Sequence, residues 1–205
     1  MKIQRIDKTS QEIRESFFKF AQLAEIQEWD NHNHLERISQ YTYTLAIAME
    51  LTNEEAAVIS IASLLHDVGK SFTPLALLMS RGDIQPGDWQ IIERHTLQGA
   101  EILDSKTSLF LHTASVIALT HHERWDGTGY PQHLKGNQIP ISGRICAIAD
   151  VFDALTTPRI YKDVIGEVEA LRLITQNSGI LFDPAVVTAF EKVFPEIRKI
   201  KNSYE

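Results

Sequence analysis

The sequence predicts an all-α fold, a single-domain helical bundle, because helical spacing of apolar residues extends along almost all of its 205 residues. The predicted helix over residues 33–49 shows the pattern, with an inner face of Leu35, Ile38, Tyr41, Leu45 and Ala48. The alternation of apolar and polar residues that marks strands is almost absent. Neither an internal repeat nor a long linker divides the chain, so we expect one hydrophobic core.

Capping residues predict where the first helices begin. Residues 9–12 resemble a capping box, with Thr9 or Ser10 as the cap of the first helix. Thr52 is a suitable cap for a third helix that continues to Leu65. Gly69 follows shortly afterwards and suits the end of that helix.

The second half of the chain repeats this helical pattern after an irregular connection predicted over residues 71–87. In the helix over residues 108–122 we expect Leu109, Val116 and Leu119 to face inward. A glycine-rich loop follows at residues 123–138. The other predicted helices cover residues 88–103, 142–155, 167–175 and 184–194.

Composition narrows the possible partners and the compartment. The net charge is −7, and the chain has no basic tract, which argues against nucleic-acid binding. The single cysteine, Cys146, cannot form an internal disulfide and fits a reducing cytoplasm. No segment approaches the ~20 apolar residues of a membrane span, and the charged N-terminus is not a signal peptide. We therefore expect a cytoplasmic protein that does not bind membranes.

Polar residues at apolar positions predict a buried metal site. His66 and Asp67 end an apolar helical segment, where an unpaired carboxylate would cost several kcal/mol unless it were neutralised or bound a metal. A salt bridge from Asp67 to Lys70 is the structural alternative. His121 and His122 end another apolar helix.

Two further residues fit the same interpretation with different strength. Asp150 lies within an apolar segment, whereas His95 lies on a more polar helix and taken alone is an ordinary surface histidine. Imidazole and carboxylate ligands together favour iron, manganese, nickel or zinc over calcium or magnesium. No cysteine belongs to the pattern, which argues against a structural zinc site of the thiolate type.

The two clearest segments, HDVGK at residues 66–70 and HHERWDGTGYP at residues 121–131, resemble the HD-GYP family of the HD phosphohydrolase superfamily. Residues 33–38, 93–103 and 144–156 resemble further segments of that family, in the family's order and near its spacing. The resemblance extends over about residues 30–194. It implies a catalytic domain at residues 31–195, with an N-terminal helical extension at 1–30 and a C-terminal tail at 196–205.

The resemblance implies a bi- or trinuclear centre of divalent ions, with iron the first candidate and manganese, nickel or zinc the others. Asp67 is implied as the bridging carboxylate. Asp30 stands where trinuclear members carry glutamate, and it could share a third ion with His34; its structural alternative is a helix cap. The implied ligands are Asp30, His34, His66, Asp67, His95, His121, His122 and Asp150.

The resemblance also implies a reaction, the hydrolysis of cyclic di-GMP to pGpG, and in some members to GMP, by a hydroxide that bridges the metals. Asp67 and Lys70 match catalytic positions, and Lys70, Arg159 and Lys162 match groups that contact substrate phosphates. The loop that contains Tyr130 either shapes the site, helps to present Tyr130 to the substrate, or contacts partner proteins. Departures from the family at Leu75, Ser80, Arg81, Pro158 and Ile160 concern loop conformation and substrate fit, and leave the metal ligands unchanged.

Two alternatives to cyclic di-GMP hydrolysis follow from the same residues. The chain could act on another nucleotide, such as a cyclic GMP-AMP dinucleotide or a (p)ppGpp-like compound. It could also be a catalytically silent receptor for cyclic di-GMP or an interaction module. GGDEF-type or other signalling proteins are the partners that the resemblance suggests, and a homodimer is compatible with it.

Overall fold

A computed structural model describes residues 8–24, 31–80, 85–158 and 164–204 as a bundle of helices without a β-strand, which confirms the all-α prediction. None of the helices within these ranges has the length and apolar character needed to cross a bilayer. Short 3-10 helices span Ser63–Leu65, Val68–Phe72 and Gly136–Gln138. The α-helices are α1 Lys8–Ala24, α2 Asn31–Ala48, α3 Asn53–Ala62, α4 Leu75–Leu78, α5 Pro86–Leu103, α6 Leu109–Thr120, α7 Ile141–Thr156, α8 Glu167–Gln176 and α9 Pro184–Asn202.

The core lies where α2 packs against α3, α7 and α9. Leu35, Ile38 and Leu45 of α2 are fully buried, as the helical spacing predicted. The Tyr41 ring meets Phe152 edge-on, with ring centroids 5.6 Å apart. Since α5 packs on α6 and on the 3-10 helix Val68–Phe72, the segments that carry the predicted ligands meet beside this core.

The predicted N-terminal cap of α3 is confirmed. The Thr52 hydroxyl accepts a hydrogen bond from the backbone N–H of Glu55, and the Glu55 carboxylate accepts one from the backbone N–H of Thr52. The predicted cap of α1 is wrong, because the helix already includes Lys8 and therefore places Thr9 and Ser10 within its first turn.

Gly69 has a different role from the predicted helix stop. It lies inside the 3-10 helix Val68–Phe72, where it touches the backbone of α5. A Cβ atom at this position would lie 1.9 Å from the carbonyl oxygen of His95 and 2.7 Å from the backbone nitrogen of Gly99. The absence of a side chain therefore allows the segment that carries His66 and Asp67 to approach the helix that carries His95.

Three other predictions about helices are corrected. The connection predicted as irregular contains α4, and α5 begins at Pro86 because proline is well tolerated in the first turn of a helix. Leu109 is 64% exposed, while Ala114, Ile117 and Ala118 form the fully buried face of α6. The N-terminal start of α6 was predicted one residue early, since Ser108 is its cap.

The last helix extends well beyond its predicted end, through Pro195 to Asn202. Ile197 and Ile200 are buried in the core, and this packing supports the helix after the proline. At the other end of the chain, Phe18 and Ala21 of α1 join the same core. The division of the chain into an extension, a catalytic domain and a tail stays a prediction, although this packing favours one folding unit.

Candidate metal centre

His66 and Asp67 lie at the buried end of the α3 segment, where the chain turns between two 3-10 helices. Their exposed fractions are 0% and 4%. The apolar residues before this turn are buried with it, since Ile61 and Ala62 of α3 and Leu64 of the following 3-10 helix are fully inaccessible. His66 Nδ1 lies 2.9 Å from the Ser63 carbonyl oxygen, so it donates there and its Nε2 keeps the lone pair.

His95 and His121 have the same orientation. Their Nδ1 atoms lie 2.6 Å from the Ile92 carbonyl oxygen and 3.0 Å from the Ile117 carbonyl oxygen. Their Nε2 atoms lie 3.3 and 3.5 Å from Asp67 Oδ1. Within the described residues, Asp67 Oδ1 and the Nε2 atoms of His95 and His121 are buried without a hydrogen-bond partner. Buried polar atoms normally have a partner, and a cation between them would satisfy all three.

The histidines and carboxylates form two neighbouring clusters with the geometry for holding ions. Cluster A comprises Asp67, His95, His121 and His122, and cluster B comprises His34, His66 and Asp150. Within each cluster, the atoms that could bind a metal lie within 4.8 Å of one another. His66 Nε2 lies 3.4 Å from Asp67 Oδ2 and 3.9 Å from Asp150 Oδ1, so it connects the two clusters.

The electrostatics favour the protonation states that bind metals. Burial lowers the pKa of His121, and burial together with His121 and His95 holds the pKa of His122 well below its usual value. Burial raises the pKa of Asp67, but the neighbouring groups, with the Lys70 ammonium first among them, outweigh burial and hold that pKa well below the usual range. Neutral imidazoles and an ionised carboxylate are the forms that bind divalent cations.

Lys70 forms the predicted alternative partner of Asp67, as its ammonium group pairs with Oδ2. This ion pair does not replace the metal interpretation, because the other oxygen, Oδ1, faces His95 and His121. The Lys70 side chain is 17% exposed, against 6% for that of Asp67. Lys70 thus lies on the solvent side of the cluster.

His34 contacts a residue that the sequence interpretation missed, Asp153. Its Nδ1 lies 2.8 Å from Asp153 Oδ2, and Arg37 Nε donates to Asp153 Oδ1 at 2.6 Å. Burial raises the pKa of Asp153, but these hydrogen bonds outweigh it and lower the pKa to about 2. The available signal was a second acidic residue one turn after Asp150, in the same apolar helix.

The glycine-rich loop is held by a second missed residue, Glu123, which is 4% exposed. Its two carboxylate oxygens accept hydrogen bonds from the backbone N–H groups of Gln132, at 2.7 Å, and Leu134, at 3.0 Å. Gly129 packs so closely that a Cβ atom there would lie 2.2 Å from the backbone nitrogen of Arg124. No sequence pattern distinguished Glu123, because another charged residue, Arg124, follows it directly.

Tyr130 forms one wall of the site. Its ring stacks on that of His122, with centroids 4.9 Å apart and an interplanar angle of 28°. Burial, together with Asp67, raises the pKa of the Tyr130 hydroxyl, which keeps it protonated.

Most of the predicted site residues therefore lie together, although they come from distant parts of the sequence. Asp30, Arg159 and Lys162 lie outside the described residues. The predicted ligands that the two clusters contain are His34, His66, Asp67, His95, His121, His122 and Asp150.

An all-helical bundle with a buried histidine–aspartate cluster suited to divalent ions defines the class of this protein. The chain belongs to the HD domain family, whose model matches residues 18–186, and within it to the HD-GYP branch.

Known proteins are similar to this chain over most of its length. It is 41% identical over 178 residues to a cyclic di-GMP phosphodiesterase of Thermotoga maritima, a match that covers 87% of this chain and 48% of that protein. It is 38% identical over 190 residues to the 3'3'-cGAMP-specific phosphodiesterase 2 of Vibrio cholerae, covering 93% and 36%. The chain thus spans about half or less of the length of these curated relatives.

Solved structures share the fold. A cyclic GMP-AMP phosphodiesterase of V. cholerae, V-cGAP3, superposes with a TM-score of 0.69 at 21% identity, covering 94% of this chain and 53% of that one. Bd1817 of Bdellovibrio bacteriovorus, an HD-GYP-type protein, superposes with a TM-score of 0.67 at 19% identity, covering 92% and 64%. At these identities the likeness supports the helical fold alone.

Proposed function

We propose that the chain is a metal-dependent phosphodiesterase that hydrolyses cyclic di-GMP to pGpG, with GMP as the product of any second cleavage. The observation that carries this proposal is the meeting of clusters A and B beside Asp67, with Lys70 on the solvent side. Curated relatives at 41% and 38% identity, whose names are those of cyclic dinucleotide phosphodiesterases, support the substrate class.

The ligand set that we propose is the seven residues of the two clusters, which suit two divalent ions. Iron is the first candidate, followed by manganese, nickel and zinc. Bound ions would supply Lewis-acid stabilisation of phosphoryl oxygens and would lower the pKa of water. A third ion, with Asp30 and His34 as ligands, stays part of the proposal.

The remaining residues would bind and orient the substrate. The Lys70 ammonium group lies beside Asp67, where it can offset negative charge that develops on a phosphoryl oxygen. Tyr130, stacked on His122, would limit the position of the substrate. We also propose Arg159 and Lys162 as contacts to the substrate phosphates.

Cyclic GMP-AMP is the second candidate substrate, because a relative of 38% identity carries that specificity in its name. A (p)ppGpp-like substrate has no comparable support. A silent cyclic di-GMP receptor is the third candidate, and the complete set of seven metal-binding side chains argues against it.

The decisive experiment combines metal analysis with turnover. Protein purified without oxygen would be analysed for bound metals and then assayed with cyclic di-GMP and cyclic GMP-AMP side by side. We expect about two ions per chain and faster hydrolysis of cyclic di-GMP. A metal-loaded protein that hydrolyses neither dinucleotide would favour the receptor.

The variant that tests the metal centre is Asp67→Ala, which removes the carboxylate that faces His66, His95 and His121. We expect loss of bound metal and of turnover together. Full hydrolysis by this variant would contradict the metal-centre assignment.

The proposed setting is a bacterial cytoplasm. GGDEF-type or other signalling proteins are the proposed partners, and a homodimer is the proposed assembly. Co-purification and sedimentation measurements would test both.

A further inference from the structure

Asp153 is a buried carboxylate that touches cluster B without belonging to it. It lies on α7, one turn after Asp150, and its side chain is 1% exposed. Its Oδ2 atom lies 2.8 Å from His34 Nδ1, on α2. This hydrogen bond joins two helices through residues that are 119 positions apart in the chain.

Arg37 fixes the carboxylate from its other side. Its Nε atom donates to Asp153 Oδ1 at 2.6 Å, and its Nη2 atom donates to Asp153 Oδ2 at 3.0 Å. A guanidinium fork of this kind sets both the position and the rotation of a carboxylate. Nη2 also donates to Thr157 Oγ1 at 3.2 Å, which holds the guanidinium group itself.

The orientation of His34 depends on this arrangement. Since Nδ1 donates to the carboxylate, the lone pair of the ring belongs to Nε2, which is the form that binds metals. His66, His95 and His121 instead donate from Nδ1 to carbonyl oxygens of their own chain segments. A carboxylate partner makes an imidazole a stronger metal ligand than a carbonyl partner does.

We infer that Asp153 is a positioning residue for cluster B, where it orients His34 and strengthens this ring as a metal ligand. The inference rests on the proposed function only in that ions bind at cluster B. It does not depend on which nucleotide the chain hydrolyses.

The test is a titration of the metal-free full chain with Mn²⁺, with free Mn²⁺ measured by electron paramagnetic resonance. Asp153→Asn should weaken one of the two binding phases by roughly 10–100-fold, the usual effect of removing a carboxylate behind a metal-binding histidine. In a His34→Ala background, the same substitution should cause no further loss, because Asp153 acts through that ring.

The control variant is Asp183→Asn. Asp183 is also a buried carboxylate in an ion pair, 2.5 Å from Arg144 Nη1, and it belongs to neither cluster. It should bind Mn²⁺ like the wild type. Any general effect of disturbing a buried ion pair would then be visible in this variant.

Two results would overturn the inference while the metal centre stands: wild-type Mn²⁺ affinity in Asp153→Asn, or an equal loss with and without His34. A wild type that binds no Mn²⁺ would overturn the proposed function and the inference with it. If circular dichroism shows that Asp153→Asn is unfolded, Arg37→Lys replaces it, since lysine keeps the charge but not the fork. Arg37→Lys should lower the Mn²⁺ affinity several-fold only when His34 is present, and an unchanged affinity would overturn the inference.

Discussion

Individual side chains at the site depend strongly on partners that are distant in sequence. His95 and His121 are oriented by carbonyl oxygens of their own helices, whereas His34 is oriented by Asp153 on another helix. Apolar surroundings predicted His66, His121 and His122 as metal ligands, whereas His34 and His95 were predicted only from the resemblance to the HD-GYP family. The sequence could not predict the pairing of His34 with Asp153, because that contact exists only once α2 and α7 have packed.

Arg159→Ala should raise the Michaelis constant for cyclic di-GMP by roughly 10–100-fold, the range expected for a lost hydrogen bond to a charged group. Turnover at saturation should change less, since no metal ligand is removed. Steady-state kinetics would measure both values.

The control for this substitution is Arg172→Ala, because Arg172 pairs with Glu169 on the exposed face of α8 and belongs to neither cluster. Wild-type kinetics are expected for it. If Arg159→Ala also had an unchanged Michaelis constant, Arg159 would not belong to the substrate site.

At the scale of secondary-structure elements, apolar spacing predicted which segments are helical better than it predicted the residues at which the helices begin and end. The cap at Thr52 was predictable because it depends on residues three positions apart. The end of α9 was not, since Ile197 and Ile200 support the helix beyond Pro195 through contacts with the core. The inner face of α6 was also predicted wrongly at Leu109, because the pattern contains apolar residues on more than one side.

The contact between the 3-10 helix Val68–Phe72 and α5 gives an element-scale prediction. Gly69→Ala would place a Cβ atom 1.9 Å from a backbone carbonyl oxygen, so the two segments must separate. We expect a loss of about 1–3 kcal/mol in the free energy of unfolding, together with weaker metal binding. Thermal and denaturant unfolding would measure the loss.

Gly87→Ala provides the matched control, since a Cβ atom at that position in the first turn of α5 would meet nothing within 4 Å. Its stability should equal or slightly exceed that of the wild type. Equal stabilities of Gly69→Ala and the wild type would show that the close approach is unimportant.

At the scale of the whole molecule, apolar spacing predicted the fold class, and the apolar surroundings of His66, Asp67, His121, His122 and Asp150 predicted the core of the site. A helical bundle buries apolar stripes, so a histidine or aspartate within such a stripe stands out. Glu123 did not stand out, because its role is to accept hydrogen bonds from the backbone of a loop. Because the donors are backbone N–H groups, this role does not require particular side chains in the loop and leaves no sequence pattern.

The distribution of the metal-binding residues over the chain has a consequence for folding kinetics. They extend from His34 to Asp150 and come from α2, the turn after α3, α5, the end of α6, and α7. Because these segments meet only after the bundle has packed, ions should bind late on the folding pathway. They should therefore slow unfolding and leave the folding rate almost unchanged.

At an ion concentration 100 times the dissociation constant, each bound ion stabilises the folded chain by about 2.7 kcal/mol, which corresponds to roughly 100-fold slower unfolding per ion. Stopped-flow unfolding with Mn²⁺ and with a chelator would measure this ratio, and Asp67→Ala should show no dependence on the ion. Faster folding with Mn²⁺ would mean that part of the site forms early. If bound ions slow unfolding as expected, the supply of metal determines the lifetime of the folded chain as much as its hydrophobic core does.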